Sequence, residues 1–401
     1  MTAWDSHTFS NASVYRPRLR CCRQDCHTAL GQLASSTLPN NEGTASYAWG
    51  LDGNMTARTW GSAAIAGTYL YDAAKRPVGL YIRLAGSTAA SVLARTYDAI
   101  GNVTSETQNL AGVGGGAGNA ALAGSGTETF TYDAANRVVA AGFGAPGAQT
   151  ETRAYTYDAD SNRTSVTESG VTVYYFYDAT DALETKSLSN TNPTPGTSCT
   201  SLGFCYDAFG DLTSSSPSGP DASSADNLVV VHTNYAYDPA GHLSAITDGT
   251  SADAVSFSID ALGRHGTQTI GSEPTSTYCY LGTSDSITTI ANSAGTTYST
   301  IDAIGDRLAS GAGAAFGWIV PDLHGNVVAA IGPDATFVNA LRFDPYGQTV
   351  CTWTATSGSV KMPWRYQGRI LESAGTGSST DLYDVEPPRR MYSPTGRLAA
   401  S

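Results

Sequence analysis

Charged side chains are scarce in this 401-residue chain, and acidic residues outnumber basic ones. Asp, Glu, Lys and Arg make up 14% of the residues, whereas a typical soluble domain has about 25%. The net charge is −13, and phosphate backbones are bound by clustered Lys and Arg. Nucleic-acid binding is therefore not among the expected functions.

Long apolar runs are absent as well. A membrane-spanning helix needs roughly 18 consecutive apolar residues, and the chain contains no such run. Near the N-terminus, Arg16, Arg18 and Arg20 are followed by cysteines and not by the apolar segment of a secretory signal. The sequence predicts neither a membrane span nor a signal peptide, and it leaves the localisation and the export route open.

The seven cysteines are too scattered for the disulfide framework of a small secreted scaffold. Four potential metal ligands fall close together: Cys21, Cys22, Cys26 and His27. Two adjacent cysteines cannot easily both face one ion, so we interpret this region as an irregular first segment and predict no metal site. A disulfide between Cys199 and Cys205 would be local and optional.

Catalytic motifs are missing too. Nothing resembles a nucleophile elbow, a phosphate-binding loop or a zinc-protease helix. His324 and His242 fall inside repeated turns, where we interpret them as structural. The aspartates are spread along the chain and do not form the convergent oxygen cage of a hard cation. The sequence therefore predicts no catalytic residue, no metal and no cofactor.

The strongest pattern in the sequence is an internal repeat. Each copy has an aromatic or β-branched residue, then Asp, two variable residues, Gly or Asn, and a polar residue before an aliphatic one. The clearest copies are centred on Asp98, Asp207 and Asp238. Looser copies are centred on Asp72, Asp133, Asp158, Asp178, Asp260, Asp302, Asp322 and Asp344.

Seven of these aspartates have a glycine three residues later, and we predict that these pairs form structural turns. The pairs are Asp98 and Gly101, Asp207 and Gly210, Asp238 and Gly241, Asp260 and Gly263, Asp302 and Gly305, Asp322 and Gly325, and Asp344 and Gly347. Asp can accept backbone hydrogen bonds in a type I turn, and Gly adopts the left-handed conformation that closes a three-residue hairpin loop. The other four positions hold Lys75, Asn136, Ser161 and Asp181.

The residues that flank the turns alternate as they do in β-strands. Tyr155 and Tyr157 fall on one face, with Thr156 on the other. Asp158 and Asp178 lie 20 residues apart, which leaves room for two short strands and two turns. A single hairpin is only marginally stable in water, so neighbouring hairpins must pair edge to edge.

The repeat therefore predicts an all-β fold, in which an array of hairpins forms a curved antiparallel sheet. Low-complexity inserts interrupt the regular spacing, and we predict that they form loops at the hairpin ends. They span residues 111–126, 190–200 and 214–227.

The repeat resembles that of the tyrosine–aspartate (YD) repeat family, which includes bacterial Rhs proteins, polymorphic toxins, the C component of insecticidal toxin complexes and animal teneurins. The similarity runs from about Tyr47 to the end of the chain. It is most specific near the C-terminus, where several segments are similar to the Rhs-associated core. They are residues 321–328, 343–347, 366–369, 382–384, 390–394 and 396–398.

The resemblance implies three parts: an irregular N-terminal segment (1–46), a YD-repeat hairpin array (47–320) and a truncated segment similar to the Rhs core (321–401). It also implies that the array spirals into a shell, here a partial one. The Asp-Pro-x-Gly segment and the effector that follow the core in the family are not found, so the resemblance does not extend to self-cleavage or toxicity. Pro387 and Pro388 are expected to deform the last hairpin.

Two functional hypotheses remain. The first is a non-enzymatic shell or scaffold of an Rhs-type toxin, which encapsulates or presents a toxin cargo or C-terminal effector supplied elsewhere. The second is a cell-surface module that binds glycans through its Tyr-rich strands. The family suggests a secreted or cell-surface protein, and the sequence points to no particular binding residue.

Overall fold

The structure is a computed structural model that describes most of the chain. The described residues are 24–38, 43–61, 65–85, 90–110, 125–145, 148–192, 203–216, 233–247, 254–293, 295–302, 305–311, 316–355, 364–368, 383–386 and 390–392. Within them, nearly all regular structure is β-strand, and the one helical element is a 3₁₀ turn at Tyr366–Gly368. The fold is all-β, as the repeat predicts.

Fourteen strands form the first sheet in chain order, each antiparallel to the strand before it. They are β1 (Gln24–His27), β2 (Leu33–Thr37), β3 (Thr44–Trp49), β4 (Met55–Trp60), β5 (Ile65–Tyr71), β6 (Pro77–Leu84), β7 (Ala90–Tyr97), β8 (Val103–Asn109), β9 (Gly126–Tyr132), β10 (Val138–Ala145), β11 (Ala148–Tyr157), β12 (Arg163–Glu168), β13 (Val171–Tyr177) and β14 (Leu183–Ser187).

The second sheet has the same organisation. Its strands are β15 (Gly203–Tyr206), β16 (Leu212–Ser216), β17 (Thr233–Tyr237), β18 (Leu243–Thr247), β19 (Val255–Ile259), β20 (His265–Ile270), β21 (Ser276–Tyr280), β22 (Ile287–Asn292), β23 (Gly295–Ile301), β24 (Arg307–Ser310), β25 (Gly317–Pro321), β26 (Val327–Ile331), β27 (Phe337–Phe343) and β28 (Thr349–Thr354). A last hairpin is formed by β29 (Tyr383–Glu386) and β30 (Arg390–Tyr392).

The repeated turns all lie on the side of the sheets where the odd-numbered strands end. This is because every second connection in an antiparallel meander lies at the same ends of the strands. At the turn between β7 and β8, Thr96 pairs with Ser105 but Tyr97 pairs with Val103, so the register shifts by one residue. This shift is the bulge of a three-residue hairpin loop, and it increases the local twist of the strands. The connections at the opposite ends of the strands vary in length, so only the connections that contain the repeated turns are regular.

Alternation along the strands places aromatic rings on the inner face of the sheets. In β11, Tyr155 is 3% exposed, Thr156 is exposed and Tyr157 is half-buried. The position equivalent to Tyr155 is buried and aromatic in other hairpins as well: Tyr47, Tyr175, Tyr235, Phe257 and Tyr278. The inner face is therefore the apolar one.

The second sheet curls back, so that its last strands lie against the inner face of the first sheet. Ring atoms of Trp318 in β25 lie 2.9 Å and 3.7 Å from where a Cβ atom would stand on Gly43 and Gly61. All five residues of β26 are buried, which shows that both faces of this strand are covered. One apolar cluster joins the two sheets. The array thus spirals into a partial shell with its C-terminal strands on the concave side.

The sheet begins earlier than the Tyr-Asp pattern indicates. We expected residues 1–46 to be irregular, but β1, β2 and the start of β3 lie in this range and pair in order. In the first turn the hydroxyl of Thr28 accepts hydrogen bonds from the N–H groups of Leu30 and Gln32. Thr28 thus replaces the repeat aspartate, and a search for Asp misses the hairpin. The division into 47–320 and 321–401 stays a prediction.

Several expected features lie outside the described residues. They are Cys21, Cys22, Cys199, Pro387, Pro388, residues 396–398 and most of the inserts at 111–126, 190–200 and 214–227. In the part of the chain that the structure describes, no helix combines the length and the apolar character needed to cross a bilayer.

Candidate functional site

The repeat aspartates hold their turns through their own side chains. Asp98 is representative: its Oδ1 accepts hydrogen bonds from the N–H groups of Ile100, Gly101 and Asn102 at 2.8 to 3.0 Å. In the six other predicted turns, Oδ1 likewise accepts a hydrogen bond from the N–H four residues later. These turns are at Asp207, Asp238, Asp260, Asp302, Asp322 and Asp344. The carboxylate takes up backbone donors that the bulge leaves without a partner strand.

The fourth residue of each turn adopts a left-handed conformation. The seven predicted glycines have φ between +82° and +101°: Gly101, Gly210, Gly241, Gly263, Gly305, Gly325 and Gly347. The four turns without glycine have the same conformation at Lys75, Asn136, Ser161 and Asp181, with φ between +60° and +72°. A left-handed residue with a Cβ costs about 1–2 kcal/mol, so the hydrogen bonds of these turns must outweigh that strain.

Where a tyrosine directly precedes the turn, its hydroxyl bonds the hairpin to the preceding one. The hydroxyl of Tyr132 donates to the carbonyl of Val103 at 2.7 Å, and Val103 is the first residue of the strand that follows the previous turn. The same relation joins Tyr71 to Met55, Tyr97 to Pro77, Tyr157 to Val138, Tyr177 to Arg163, Tyr206 to Leu183, Tyr237 to Leu212 and Tyr280 to His265. These bonds connect successive hairpins along the wall.

In several turns, the residue after the left-handed position closes the turn with its side chain. Arg76, Arg137 and Arg264 donate from Nε to Oδ2 of their own turn aspartate, at 2.7 to 2.9 Å. The same three guanidinium groups stack on the tyrosine of the next hairpin, 4.1 to 4.7 Å from the ring centroid. Aspartate, arginine and tyrosine thus form one chain of contacts from turn to turn.

A buried ion pair joins β4 to the turn between β23 and β24. The guanidinium of Arg58, which is fully buried, pairs with the carboxylate of Asp306 and lies 3.8 Å from that of Asp302. The hydroxyl of Tyr47 donates to Asp302 Oδ2 at 2.6 Å. These contacts fix one end of the C-terminal strands to the first sheet.

A second set of polar contacts joins β8 and β11 to the strand β27 and its turn. Arg342 Nη2 donates to both carboxylate oxygens of Glu151, at 2.6 and 2.7 Å. The amide of Gln108 donates to the carbonyl of Leu341 at 2.9 Å, and the hydroxyls of Tyr157 and Tyr346 share a hydrogen bond. The concave side is therefore held by specific polar pairs as well as by apolar packing.

A cavity of about 180 Å³ lies between these two layers. Its wall comes from β7 to β10 on one side and from the turns at Asp322 and Asp344 on the other. Four carboxyl groups and two guanidinium groups line it: Glu106, Glu128, Asp322, Asp344, Arg95 and Arg342. In this cavity, charged side chains of both sheets face a common space, and it is the candidate functional site.

The sequence of residues 65–376 matches the family described as Teneurin YD-shell. The chain belongs to this family. Membership and fold together assign it a shell or scaffold role. No protein among the curated ones matches the chain.

Several solved structures are similar to this YD shell in fold. The Tc holotoxin pore of Photorhabdus luminescens is 17% identical with a TM-score of 0.68, over 93% of this chain and 18% of that one. A TcdB2-TccC3-Cdc42 structure is 16% identical with a TM-score of 0.60, and a TcdB2-TccC3-TEV structure is 16% identical with a TM-score of 0.61. Each covers 93% of this chain and 19% of the other. The chain thus spans less than a fifth of these structures.

In this YD shell, the pKa of the aspartate in the repeated turn is shifted in opposite directions at the rim and in the cavity. At the exposed turns of Asp72 and Asp133, hydrogen bonds from the backbone four residues later, and then from the arginine side chain, lower the pKa of the carboxyl. At the turns that line the cavity, burial raises the pKa of Asp322 to about 6 and also raises that of Asp344. Burial between the two layers therefore outweighs the bonds of the turn.

The carboxyl group of Glu128 is strongly perturbed in the cavity. The residue is 7% exposed, and its Oε1 accepts no hydrogen bond from any described residue. Burial is the main cause and the nearby carboxylate of Asp344 the second cause that raise the pKa of Glu128 to about 8. At neutral pH this carboxyl therefore carries a proton.

The sequence did not indicate most of the charged residues of this site. Glu128 and Arg342 are isolated charges at inward positions of otherwise apolar or neutral strands, and only the inward register of neighbours such as Phe130 could have pointed to Glu128. Of the two histidines interpreted as structural, His242 bonds Asp238 Oδ2 through Nδ1 at 2.8 Å. His324 lines the cavity, and its ring centroid lies 6.2 Å from that of Tyr366.

The cysteines form no metal site in the described ranges. There, no three side chains of His, Cys, Asp or Glu converge as metal ligands, and Cys26 is exposed with a free thiol. Cys205 is disulfide-bonded, while its suggested partner Cys199 lies outside the described residues.

Proposed function

We propose that this chain is a non-enzymatic wall of a shell that encloses a polypeptide cargo, the cargo being a toxin or effector segment of the kind that the YD-shell family carries. The observation that carries the proposal is the position of β25 to β28 on the concave side of the first sheet. A polypeptide that continues from this layer starts from inside the wall.

The chemistry of the two faces supports this role. The inner positions of the hairpins are mostly aromatic or aliphatic, and tyrosine hydroxyls bond neighbouring hairpins to each other. The similar solved structures are toxin assemblies, and this chain spans less than a fifth of each. We propose that it provides the corresponding wall in a larger assembly with toxin components.

A fusion experiment tests enclosure. A disordered, tagged segment without Lys or Arg is fused after Ser401 in one protein and before Met1 in a matched control, and both are treated with a protease that cuts disordered chains. If the wall encloses a segment that continues from its C-terminal strands, the segment after Ser401 survives longer than the segment before Met1. Equal digestion of the two segments contradicts the proposal.

We do not propose the glycan-binding alternative. It depended on tyrosines presented to solvent, but the repeat tyrosines use their hydroxyls to bond the preceding hairpin, and rings such as Tyr155 and Tyr175 are buried. Tyr81 is an exception, at 40% exposed. Among the described residues, the only other exposed Tyr, Phe or Trp ring is that of Phe209, in the turn after β15, and two rings on different hairpins do not make a stacking platform for a sugar.

A further inference from the structure

Acidic side chains outnumber arginines in the wall of the cavity between the two layers. Arg95 forms an ion pair with Glu106 in the cavity wall. The second guanidinium, that of Arg342, is paired with Glu151, which lies outside the lining. The remaining acidic groups of the wall are those of Glu128 and of the two turns, and they form no ion pair with a described residue.

Of these three carboxyl groups, that of Glu128 has a buried oxygen without a hydrogen bond from any described residue. Asp322 and Asp344 accept hydrogen bonds from the backbone of their own turns. Oε1 of Glu128 accepts no hydrogen bond from any described residue, although the side chain is more than nine-tenths buried. A buried charged or polar group normally has a partner, because leaving it unpaired is costly.

The cavity has room for such a partner. A single water molecule needs about 10–15 Å³ of cavity volume, and the volume of this cavity, about 180 Å³, is many times larger. We propose that it binds one organic cation, an alkylammonium or guanidinium group, which pairs with the carboxylate of Glu128. The cation is either a free small amine or a Lys or Arg side chain of an enclosed polypeptide, and in the second case the inference rests on the proposed function.

Binding of the cation releases a proton. In the empty cavity the carboxyl of Glu128 is protonated near neutral pH, because burial and the neighbouring Asp344 and Glu106 outweigh the attraction of Arg153 and Arg342. The cation favours the ionised form, so the neutral acid and the free cation become a carboxylate–cation pair, and the proton passes to the solvent. Affinity for the cation should therefore rise with pH up to about 8.

Isothermal titration of the full chain with n-butylammonium and with methylguanidinium tests the site. The titrations are made near pH 6 and near pH 8, each in two buffers of different ionisation enthalpy. We expect saturable binding, release of about one proton per bound cation near pH 6, and a higher affinity at pH 8 than at pH 6. For Glu128→Gln we expect binding weakened at least about tenfold, equivalent to about 1.4 kcal/mol. Absence of saturable binding at both pH values overturns the proposal.

The matched control is Glu184→Gln on β14, which makes the same substitution outside the cavity wall and should leave binding unchanged. Glu128→Gln replaces a protonated acid by a neutral amide of similar shape, so its fold should be retained, and circular dichroism checks this. Binding that is unaltered in Glu128→Gln, or equally weakened in Glu184→Gln, contradicts the assignment to Glu128.

A blocked tripeptide with a central Lys distinguishes the two sources of the cation. If it binds at least as tightly as n-butylammonium, the site accepts a polypeptide side chain. If it fails while the amine binds, the site belongs to a free amine. The cation site stands in both outcomes, and because the fusion that tests enclosure lacks Lys and Arg, the two proposals can fail separately.

Discussion

The hydroxyl of Tyr97 donates a hydrogen bond to the carbonyl of Pro77, 2.9 Å away, and so bonds one hairpin to the hairpin before it. The guanidinium of Arg76, in the preceding turn, stacks on the same ring. The repeat tyrosine is therefore a link between units and not only part of the apolar face. This explains why Tyr precedes Asp in the motif, since the residue before the turn aspartate lies beside the preceding hairpin.

Tyr97→Phe should destabilise the wall by removing this link. The ring and its packing stay, but the Pro77 carbonyl loses its donor, so we expect a loss of about 0.5–1.5 kcal/mol in the free energy of unfolding. Urea denaturation measures it. Tyr81→Phe is the control, because Tyr81 is 40% exposed and its hydroxyl makes no hydrogen bond with any described residue. Equal losses in the two variants would contradict the role of the hydroxyl.

Two turn glycines with similar backbones should respond differently to alanine. Gly210 has φ of +86° and open space around it, so Gly210→Ala adds only left-handed strain, about 1–2 kcal/mol. Gly347 has φ of +93°, and a Cβ there would lie 2.5 Å from the buried ring of Tyr366. We expect a distinctly larger loss for Gly347→Ala in thermal melting.

A third variant separates backbone strain from side-chain crowding. Asn tolerates the left-handed region better than Ala, so Gly210→Asn should cost less than Gly210→Ala. If the order is reversed, backbone conformation does not decide the preference for glycine at this position.

Arg58→Met should loosen the C-terminal strands from the first sheet. The change leaves the buried Asp302 without its cationic neighbour, and breaking a buried pair from one side costs about 3–5 kcal/mol. The partial exposure of Asp306 places the expectation at the lower end of that range. Hydrogen exchange in β23 and β24 should increase. Arg83→Met, at an exposed position, should change neither stability nor exchange.

Glu128→Gln should change how stability depends on pH. The pKa of Glu128 in the folded chain is about 8, above about 4.3 in an unfolded chain, so the folded state holds the extra proton. The stabilisation from that proton is complete below about pH 4 and is lost as pH rises through about 8. The variant should melt at a higher temperature than the wild type by a margin that grows from about pH 4 to about pH 8, and the two should converge below about pH 4.

Glu184→Gln should follow the wild type at every pH in the same melting series. If Glu128→Gln also keeps the wild-type pH dependence, the carboxyl of Glu128 is ionised in the folded state at neutral pH. That result would remove the basis for proton release on cation binding.

The local parts of the fold could be predicted from the sequence. The turn at Asp98 is fixed by hydrogen bonds within five residues, and the alternation of Tyr155 and Tyr157 about Thr156 follows from the strand backbone itself. The hairpin at Thr28 was missed because a hydroxyl replaces the carboxylate there, although the hydrogen bonds are the same. The repeat motif predicted the turn geometry only where aspartate is the first residue of the turn.

The order of the hairpins, the side on which their turns lie and the apolar face of the wall were determined by the sequence alone, because each depends on residues of one hairpin or of its neighbour. The tertiary structure decided which distant residues meet, such as Glu151 and Arg342, 191 positions apart. It also decided that Asp322 lines the cavity between the two layers while Asp98 stays at the rim. These pairings depend on the curvature summed over many hairpins, and no short segment of sequence contains that sum.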